Sequence, residues 1–204
     1  MSERRLIHIV DDEDSVRRSA SFMLRTSGFD VTTHASGVLF LKEAKSVDPG
    51  CILLDIRMPE MDGLEVQREL NARGIAMPVI VLTGHADIGI AVQAMKAGAV
   101  DFLEKPFEKA QLLTALDVAF HRLEHHGEAV ASEHDATVRI AALTAREQDV
   151  LRGLVRGHPN KTIAYDLGIS PRTVEVHRAN LMLKLEVRSL SEALRIAFAA
   201  GLDG

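Results

Sequence analysis

"CILLDIRMPEMDG", residues 51–63, is an apolar strand that ends on a carboxylate. Ile52, Leu53 and Leu54 follow one another without a polar break, and Asp55 comes next. Met58-Pro59 then stops the strand, because proline has no N–H to give a ladder. Continuous rather than alternating apolar residues suit a strand buried on both faces, and so a parallel sheet covered by helices. An acidic side chain at the rim of such a core has two readings: a loop aspartate that caps the next helix, or a reactive carboxylate placed where the sheet opens.

The surrounding chain supports the sheet. LIHIV (6–10), DVTTHA (30–35), PVIVLTG (78–84) and VDFLEK (100–105) are short and rich in aliphatic or β-branched residues. Helical spacing lies between them: Val16, Ala20, Met23 and Leu24 with Gly28 as a stop, then Leu64, Val66 and Leu70, then Ala91, Ala94 and Met95, then Leu112, Leu113, Leu116 and Phe120. Five strands alternating with such helical stretches predict a doubly wound parallel α/β domain over residues 1–122.

Composition narrows the class. With 204 residues, 47% hydrophobic and 26% charged, the chain has room for two ordinary domains. No apolar run approaches the ~20 residues that cross a bilayer, and the start, MSERRLIHIVDDED, does not read as a signal peptide. A cytoplasmic protein with no membrane partner is expected. Cys51, the only cysteine, excludes an internal disulfide and a multi-cysteine metal site. Net charge falls unevenly: −4 over residues 1–122, −3 over 123–142 and +2 over 143–204. The mildly basic end suggests a polyanionic partner for that half alone.

Residues 123–142, LEHHGEAVASEHDATVRIAA, carry no sustained core stripe before Ile140 and read as a linker, partly helical where it continues the preceding helix. His125, His126 and His134 within it read as solvated side chains rather than metal ligands. From Leu143 to residue 204 the pattern is purely helical. Thr144-Ala-Arg-Glu147 is a capping box, Asn160 is a candidate cap for a short helix ending at Gly168, Ser170-Pro171 opens a helix to about Leu185, and Ser189-Leu-Ser-Glu192 is a second capping box. Four helices in this span, two of them joined by the tight Gly168-Ile169-Ser170 turn, have the shape of a helix-turn-helix.

In a doubly wound sheet, ligands bind outside the carboxyl ends of the strands. Asp11, Asp12 and Glu13 follow the first strand, Asp55 ends the third, Thr83 the fourth, and Lys105-Pro106 the fifth. Crowded carboxylates need a cation, and oxygen-only ligands suit Mg²⁺. Asp12, Asp55 and a backbone carbonyl near Arg57 are the candidate ligands. Asp55 would then be a nucleophile toward phosphorus, with Lys105 and the Thr83 hydroxyl on the phosphoryl oxygens. Singly, Asp14 reads as a helix cap, Thr83 as strand filler and Phe102 as plain core. A haloacid dehalogenase-like phosphatase would need a second aspartate two residues after the nucleophile, where this chain has Arg57.

"VDDE", "LLDIRMPEMDG", "VLTGHAD" and "FLEKPF" resemble the receiver domain of two-component response regulators across residues 5–122. The resemblance implies a flavodoxin-like fold with Asp55 as phosphoacceptor, Asp11 and Asp12 as the acid pocket binding Mg²⁺, Thr83 and Phe102 as switch residues, Lys105 as the site lysine, and a cis peptide at Lys105-Pro106. It implies a regulator that assists only its own phosphotransfer and dephosphorylation. Arg57 and His85 flank the site and bear on the phosphoryl lifetime.

The stretch "LTAREQDVLRGLVRGHPNKTIAYDLGISPRTVEVHRANLMLKL" resembles the DNA-binding domain of the FixJ/NarL (LuxR-type) regulators and looks specifically FixJ-like. Val174, Leu181 and Leu185 should face the bundle. Lys161, Thr162, Arg172 and Lys184 are the expected phosphate contacts. Glu175, Val176 and Arg178 are the expected base readers, by hydrogen bonding or by contact with a thymine methyl; Thr173 and His177 on the same helix are further candidate DNA contacts. The resemblance places dimer faces at Val92, Lys96 and Asp101 in the first domain and at Leu190, Leu194 and Phe198 in the second. It implies a sensor histidine kinase as donor, a homodimer formed on phosphorylation, double-stranded DNA as ligand, RNA polymerase as a further partner, and regulation, in the sense of activation, of transcription. The alternative is a phosphate sink or adaptor whose helical domain binds protein.

Overall fold

The apolar runs pair as their composition requires. In the computed structural model, which describes residues 5–84, 88–124 and 133–202, five parallel strands form one sheet in the order β2-β1-β3-β4-β5. They are β1 (Leu6–Val10), β2 (Asp30–His34), β3 (Cys51–Asp55), β4 (Val79–Thr83) and β5 (Asp101–Glu104). Every residue of β3 and β4 is buried, which accounts for their unbroken apolar sequences. Register sets Val10 opposite Leu54, Asp55 opposite Leu82, and Thr83 opposite Glu104, so four strands end on one rim.

Five helices alternate with these strands: α1 (Asp14–Thr26), α2 (Gly37–Glu43), α3 (Gly63–Ala72), α4 (Ile88–Lys96) and α5 (Lys109–Glu124). Leu24 of α1 and Leu112, Leu116 and Phe120 of α5 pack with Ile7, Ile9, Leu53, Ile80 and Leu82 in one core. β1 also buries a histidine. His8 Nδ1 is 2.8 Å from Thr32 Oγ1 and Nε2 is 3.0 Å from the Asp48 carbonyl, so both ring nitrogens are partnered. Burial lowers its pKa, against the raising effect of Asp48. A Cβ at position 50 would lie 2.6 Å from the Leu6 carbonyl oxygen and 3.2 Å from this ring, which explains Gly50.

Asp14 does not cap α1. Glu13 occupies the N-cap without a side-chain bond, and the Asp14 carboxylate pairs instead with Arg17 and Arg18 one turn on. Asp62 does cap α3, in a full capping box with Glu65.

The remaining helices are α6 (Glu133–Ala141), α7 (Ala145–Val155), α8 (Asn160–Leu167), α9 (Pro171–Lys184) and α10 (Leu190–Ala199). Contacts divide the chain into two units, residues 1–86 with 97–126, and residues 87–96 with 127–204. Thr144 and Glu147 form the expected box on α7, Ser170 caps α9 with Pro171 following, and Gly168 (φ 66) ends α8 in the left-handed region. Two expectations fail in detail. Pro159, not Asn160, is the N-cap of α8, and Asn160 turns its side chain to α9. Ser189 accepts from the Glu192 amide, but Glu192 accepts from the Arg188 amide, so the second box is only half made. Helix α6 lies within the stretch expected to be linker; Ala136 is fully buried and α6 packs on α10. His125 and His126 lie outside the described residues, while His134 is exposed.

Candidate functional site

The strand ends bring Asp11, Asp55 and Lys105 together. Lys105 Nζ donates to Asp11 Oδ2 and to Asp55 Oδ1, each at 2.6 Å. Asp11 is fully buried, while Asp55 and Thr83 are 5% exposed. The Glu13 amide donates to Asp11 Oδ1 at 2.8 Å, and Arg17 Nη1 donates to the Asp11 carbonyl at 2.7 Å. Arg17 had no signal in the sequence, since it reaches the pocket from the first turns of α1 rather than from a strand end.

Charge is unbalanced in this pocket. Burial pushes the Asp55 carboxyl above its ordinary pKa, and the Asp11 charge adds to this against hydrogen bonds from Lys105 and the Arg57 backbone. For Lys105, burial works downward, but the two carboxylates outweigh it and the pKa is raised. One ammonium therefore serves two buried carboxylates, and both shifts favour a further cation beside them. Asp12 and Arg57 are exposed at the same rim. Among the described residues no group of three or more His, Cys, Asp or Glu side chains is gathered tightly enough to hold a metal ion by itself. The oxygen-only donors Asp11, Asp12, Asp55 and the Arg57 carbonyl nevertheless have the hard chemistry that suits Mg²⁺.

Local backbone holds Asp55 in place. The Ile56 amide donates to the Leu82 carbonyl at 3.0 Å, and the Gly63 amide donates to the Ile56 carbonyl at 2.9 Å. A Cβ at position 63 would lie far inside contact distance of the Asp55 carbonyl oxygen, so α3 can start here only on glycine. The Lys105 amide donates to the Thr83 carbonyl at 2.7 Å, and the Lys105-Pro106 peptide is cis. Phe102 is half-buried on β5, opposite Val81. His85 lies outside the described residues.

Helix α9 presents Arg172, Glu175, Val176 and Lys184 to solvent, with Thr173, His177 and Arg178 partly covered. Val174, Leu181 and Leu185 are fully buried, as their spacing requires. Lys161 and Thr162 are exposed at the start of α8. Two cations expected to face DNA have partners inside the domain. Arg178 Nη1 donates to Asn160 Oδ1 at 2.8 Å, and burial lowers its pKa against the charge of Glu175. Lys184 Nζ donates to Glu147 Oε2 at 2.7 Å. Glu147 is 3% exposed; burial works upward on its carboxyl, but Lys184 and the Thr144 hydrogen bonds prevail and hold the pKa down.

The residues expected at dimer faces are unequally available. Val92 and Leu194 are buried, so neither offers its side chain to a partner. Lys96 is exposed, and Asp101, Leu190 and Phe198 are half-buried. Among the described residues no helix is long and apolar enough to cross a membrane.

Comparison with known proteins agrees with this geometry. Residues 7–117 match the response regulator receiver domain family, and residues 141–197 match the family of bacterial regulatory proteins, luxR family. The transcriptional regulatory protein FixJ of Azorhizobium caulinodans is 50% identical over 202 residues, covering 99% of this chain and 96% of that protein. FixJ of Rhizobium meliloti is 49% identical over 195 residues, covering 96% of each. The crystal structure of full-length FixJ from B. japonicum aligns with a TM-score of 0.59 at 41% identity, covering 98% of both chains. With the strand-end pocket at one end and the capped helix-turn-helix at the other, the chain belongs to the FixJ-like response regulators, which join a receiver domain to a LuxR-type DNA-binding domain and regulate transcription in response to phosphorylation.

Proposed function

We propose that Asp55 is the phosphoacceptor of this regulator, taking its phosphoryl group from a sensor histidine kinase. The observation that carries the reading is the single ammonium of Lys105 held 2.6 Å from both Asp11 and Asp55. An Asp55 oxygen attacks phosphorus, the bond from phosphorus to the kinase histidine breaks, and an acyl phosphate remains on the chain. Lys105 then follows the new oxygens, which carry more charge than the carboxylate it leaves. The Thr83 hydroxyl, at the end of β4 on the same rim, donates to the same group. Asp11, Asp12, Asp55 and the Arg57 carbonyl would hold Mg²⁺, which when bound neutralises charge on the transferring phosphoryl group. The later return of Asp55 to its free state by water is self-catalysed hydrolysis, so the chain has no external substrate beyond its donor.

The acquired charge, roughly −1.5 to −2 by analogy with other phosphoryl groups, is what the switch reads. Thr83 moves toward it and half-buried Phe102 rotates inward. The altered surface, with Lys96 and Asp101, then pairs with a second copy. Leu190 and Phe198 of α10 continue that pairing in the DNA-binding domain. Residues 1–122 form the receiver and 143–204 the LuxR-type domain; within the intervening 123–142, packing of α6 on α10 argues that this helix joins the second domain. Lys161, Thr162 and Arg172 contact phosphates, α9 lies in the major groove, and promoter-bound dimers recruit RNA polymerase.

Intact-mass measurement with Mg²⁺ and acetyl phosphate tests the first step. Wild type should gain one phosphoryl group and Asp55→Asn none; equal labelling of both would remove Asp55 from its role. Binding of the labelled protein to promoter fragments should weaken steeply with salt, whereas an adaptor that binds protein would show no such slope.

A further inference from the structure

We propose that Arg139 of α6 is a positioning residue for DNA recognition: its guanidinium closes the C-terminal end of α9 and holds that helix at the angle at which it enters the groove. This role rests on the DNA-binding reading of the domain. It belongs to a residue of the stretch 123–142, which reads in sequence as linker.

The end of α9 does not close by itself. The Val187 amide donates to the Met182 carbonyl at 3.0 Å and the Glu186 amide to the Leu183 carbonyl at 3.1 Å, the paired bonds of a Schellman turn. Such a turn usually places glycine where this chain has Glu186, whose φ of 50° lies in the left-handed region. The helix therefore stops in a conformation that its own residue disfavours, and contacts from outside α9 must hold it. The turn also passes over the carbonyl of Leu185, the C-cap residue, which is fully buried. A buried carbonyl needs a donor from within the protein. Arg139 Nη2 donates to it from α6, and a guanidinium at this point also meets the negative end of the helix dipole.

This bond is one side of a closed triangle. Lys184, the last residue of α9, donates at 2.7 Å to Glu147 Oε2 in the first turn of α7. The next residue of α7, Gln148, donates through Nε2 to the Ile140 and Leu143 carbonyls, each at 3.2 Å, where the chain leaves α6. Arg139, one residue before Ile140, completes the third side. The end of α9 is thus tied to α6 and to α7, and those two are tied to each other. Helix α6 is itself anchored: Ala136 is fully buried, and the helix packs on α10.

Placement of one end of α9 decides the other. The helix has 14 residues and is about 21 Å long. It rests on the core at Val174 and Leu181, both fully buried. Rocking of its C-terminal end about these contacts is returned at its N-terminal end, the part that a recognition helix inserts. Arg139 is half-buried and bonded into the domain, so it acts on DNA through α9 rather than by touching it.

Salt dependence and a lysine variant separate positioning from direct contact and from stability. The full chain, labelled with Mg²⁺ and acetyl phosphate, is used to enrich a duplex from a random library. Kd for that duplex is then measured by fluorescence anisotropy over a series of salt concentrations, at a temperature where circular dichroism shows each variant folded. Arg139→Ala should bind about tenfold more weakly, the loss of seated α9 expected with one hydrogen bond from a charged donor. Its slope of log Kd against log salt should stay as in wild type, because no phosphate contact goes. Arg139→Lys keeps a donor and the charge and should bind within about threefold of wild type. Gln148→Ala loosens α6 from α7 and should weaken binding in the same direction, which carries the test if Arg139→Ala does not fold. Folded Arg139→Ala that binds as tightly as wild type, or Arg139→Lys that binds as weakly as Arg139→Ala, would overturn the proposal. So would a salt slope smaller by about one in Arg139→Ala, the mark of a lost phosphate contact. With Arg139→Ala unfolded, unchanged affinity in Gln148→Ala would overturn it. Failure of labelled wild type to enrich any sequence would instead overturn the DNA-binding reading on which the proposal stands.

Discussion

Substitution of Gly63 by alanine probes how tightly the fold holds Asp55. A Cβ at this position would overlap the Asp55 carbonyl oxygen and lie 3.0 Å from both the Asp55 carbonyl carbon and the Ile56 Cα. All three are backbone atoms, with no flexible side-chain end to swing away. Asp55 is fixed by its register against Leu82, and Gly63 is tied to Ile56 through a 2.9 Å hydrogen bond. The end of β3 or the start of α3 must therefore shift, by something on the order of 1 Å, and overpacking of this kind costs about 1–3 kcal/mol. Backbone against backbone puts the cost toward the upper end, and the better helix propensity of alanine returns less than ~1 kcal/mol at a first-turn position. A net loss of ~2 kcal/mol in a domain of this size lowers its melting temperature by about 8 °C. The same shift moves the carboxylate relative to Lys105, and a misplacement of about 1 Å reduces rates up to ~100-fold. Circular dichroism melts of the full chain and the rate of intact-mass labelling by acetyl phosphate read the two effects. Gly84→Ala is the control: no atom lies within 4 Å of a Cβ there, so it should melt as wild type does. A Gly63→Ala protein that melts within about 1 °C of wild type and labels at the same rate would refute the reasoning.

Replacing Lys105 with methionine removes the ammonium shared by Asp11 and Asp55 and should slow labelling by about 10²–10³, the usual effect of losing one charge-stabilising donor; an unchanged rate would sink its role. Glu147 has a lowered pKa in the fold, so its contribution to stability is fully present above the ordinary glutamate value of about 4.3 and is lost as pH falls through the folded value. The acid limb of the melting curve of the second domain should flatten in Glu147→Gln, at a cost near neutrality of only about 1 kcal/mol because Lys184 is partly solvated; an acid limb identical to wild type would rule out the pairing. Arg178→Ala should lower stability by about 1 kcal/mol through the lost bond to Asn160, as read from denaturant melts; a midpoint identical to wild type would rule out the bond.

What the sequence revealed, and what it hid, divides along the range of the contacts. The placement of Asp55, Thr83 and Lys105 on one rim was legible because each sits at or just past the end of a strand whose burial is written in its own residues, and the parallel topology then brings the ends together. The caps at Thr144, Ser170 and Asp62 are local, three residues from donor to acceptor. Contacts between distant segments left no comparable trace. Arg178 with Asn160, and Lys184 with Glu147, each join helices across the bundle, and a basic residue on an amphipathic helix looks the same whether it faces DNA or a buried acid. Leu194 shows the same limit, since an apolar residue in the last helix suits a dimer face and a bundle core equally well, and here it is fully buried. Helix α6 was missed because it buries Ala136 rather than a stripe of large side chains, which is too little apolar area to register as periodicity.

Sedimentation equilibrium of wild type and Asp55→Asn, each with and without Mg²⁺ and acetyl phosphate, tests the central claim most directly, with intact mass confirming that wild type carries the phosphoryl group. The account predicts a shift from monomer to dimer in labelled wild type alone. A labelled wild type that remains monomeric, or an Asp55→Asn protein that dimerises in response to the phosphodonor, would contradict it.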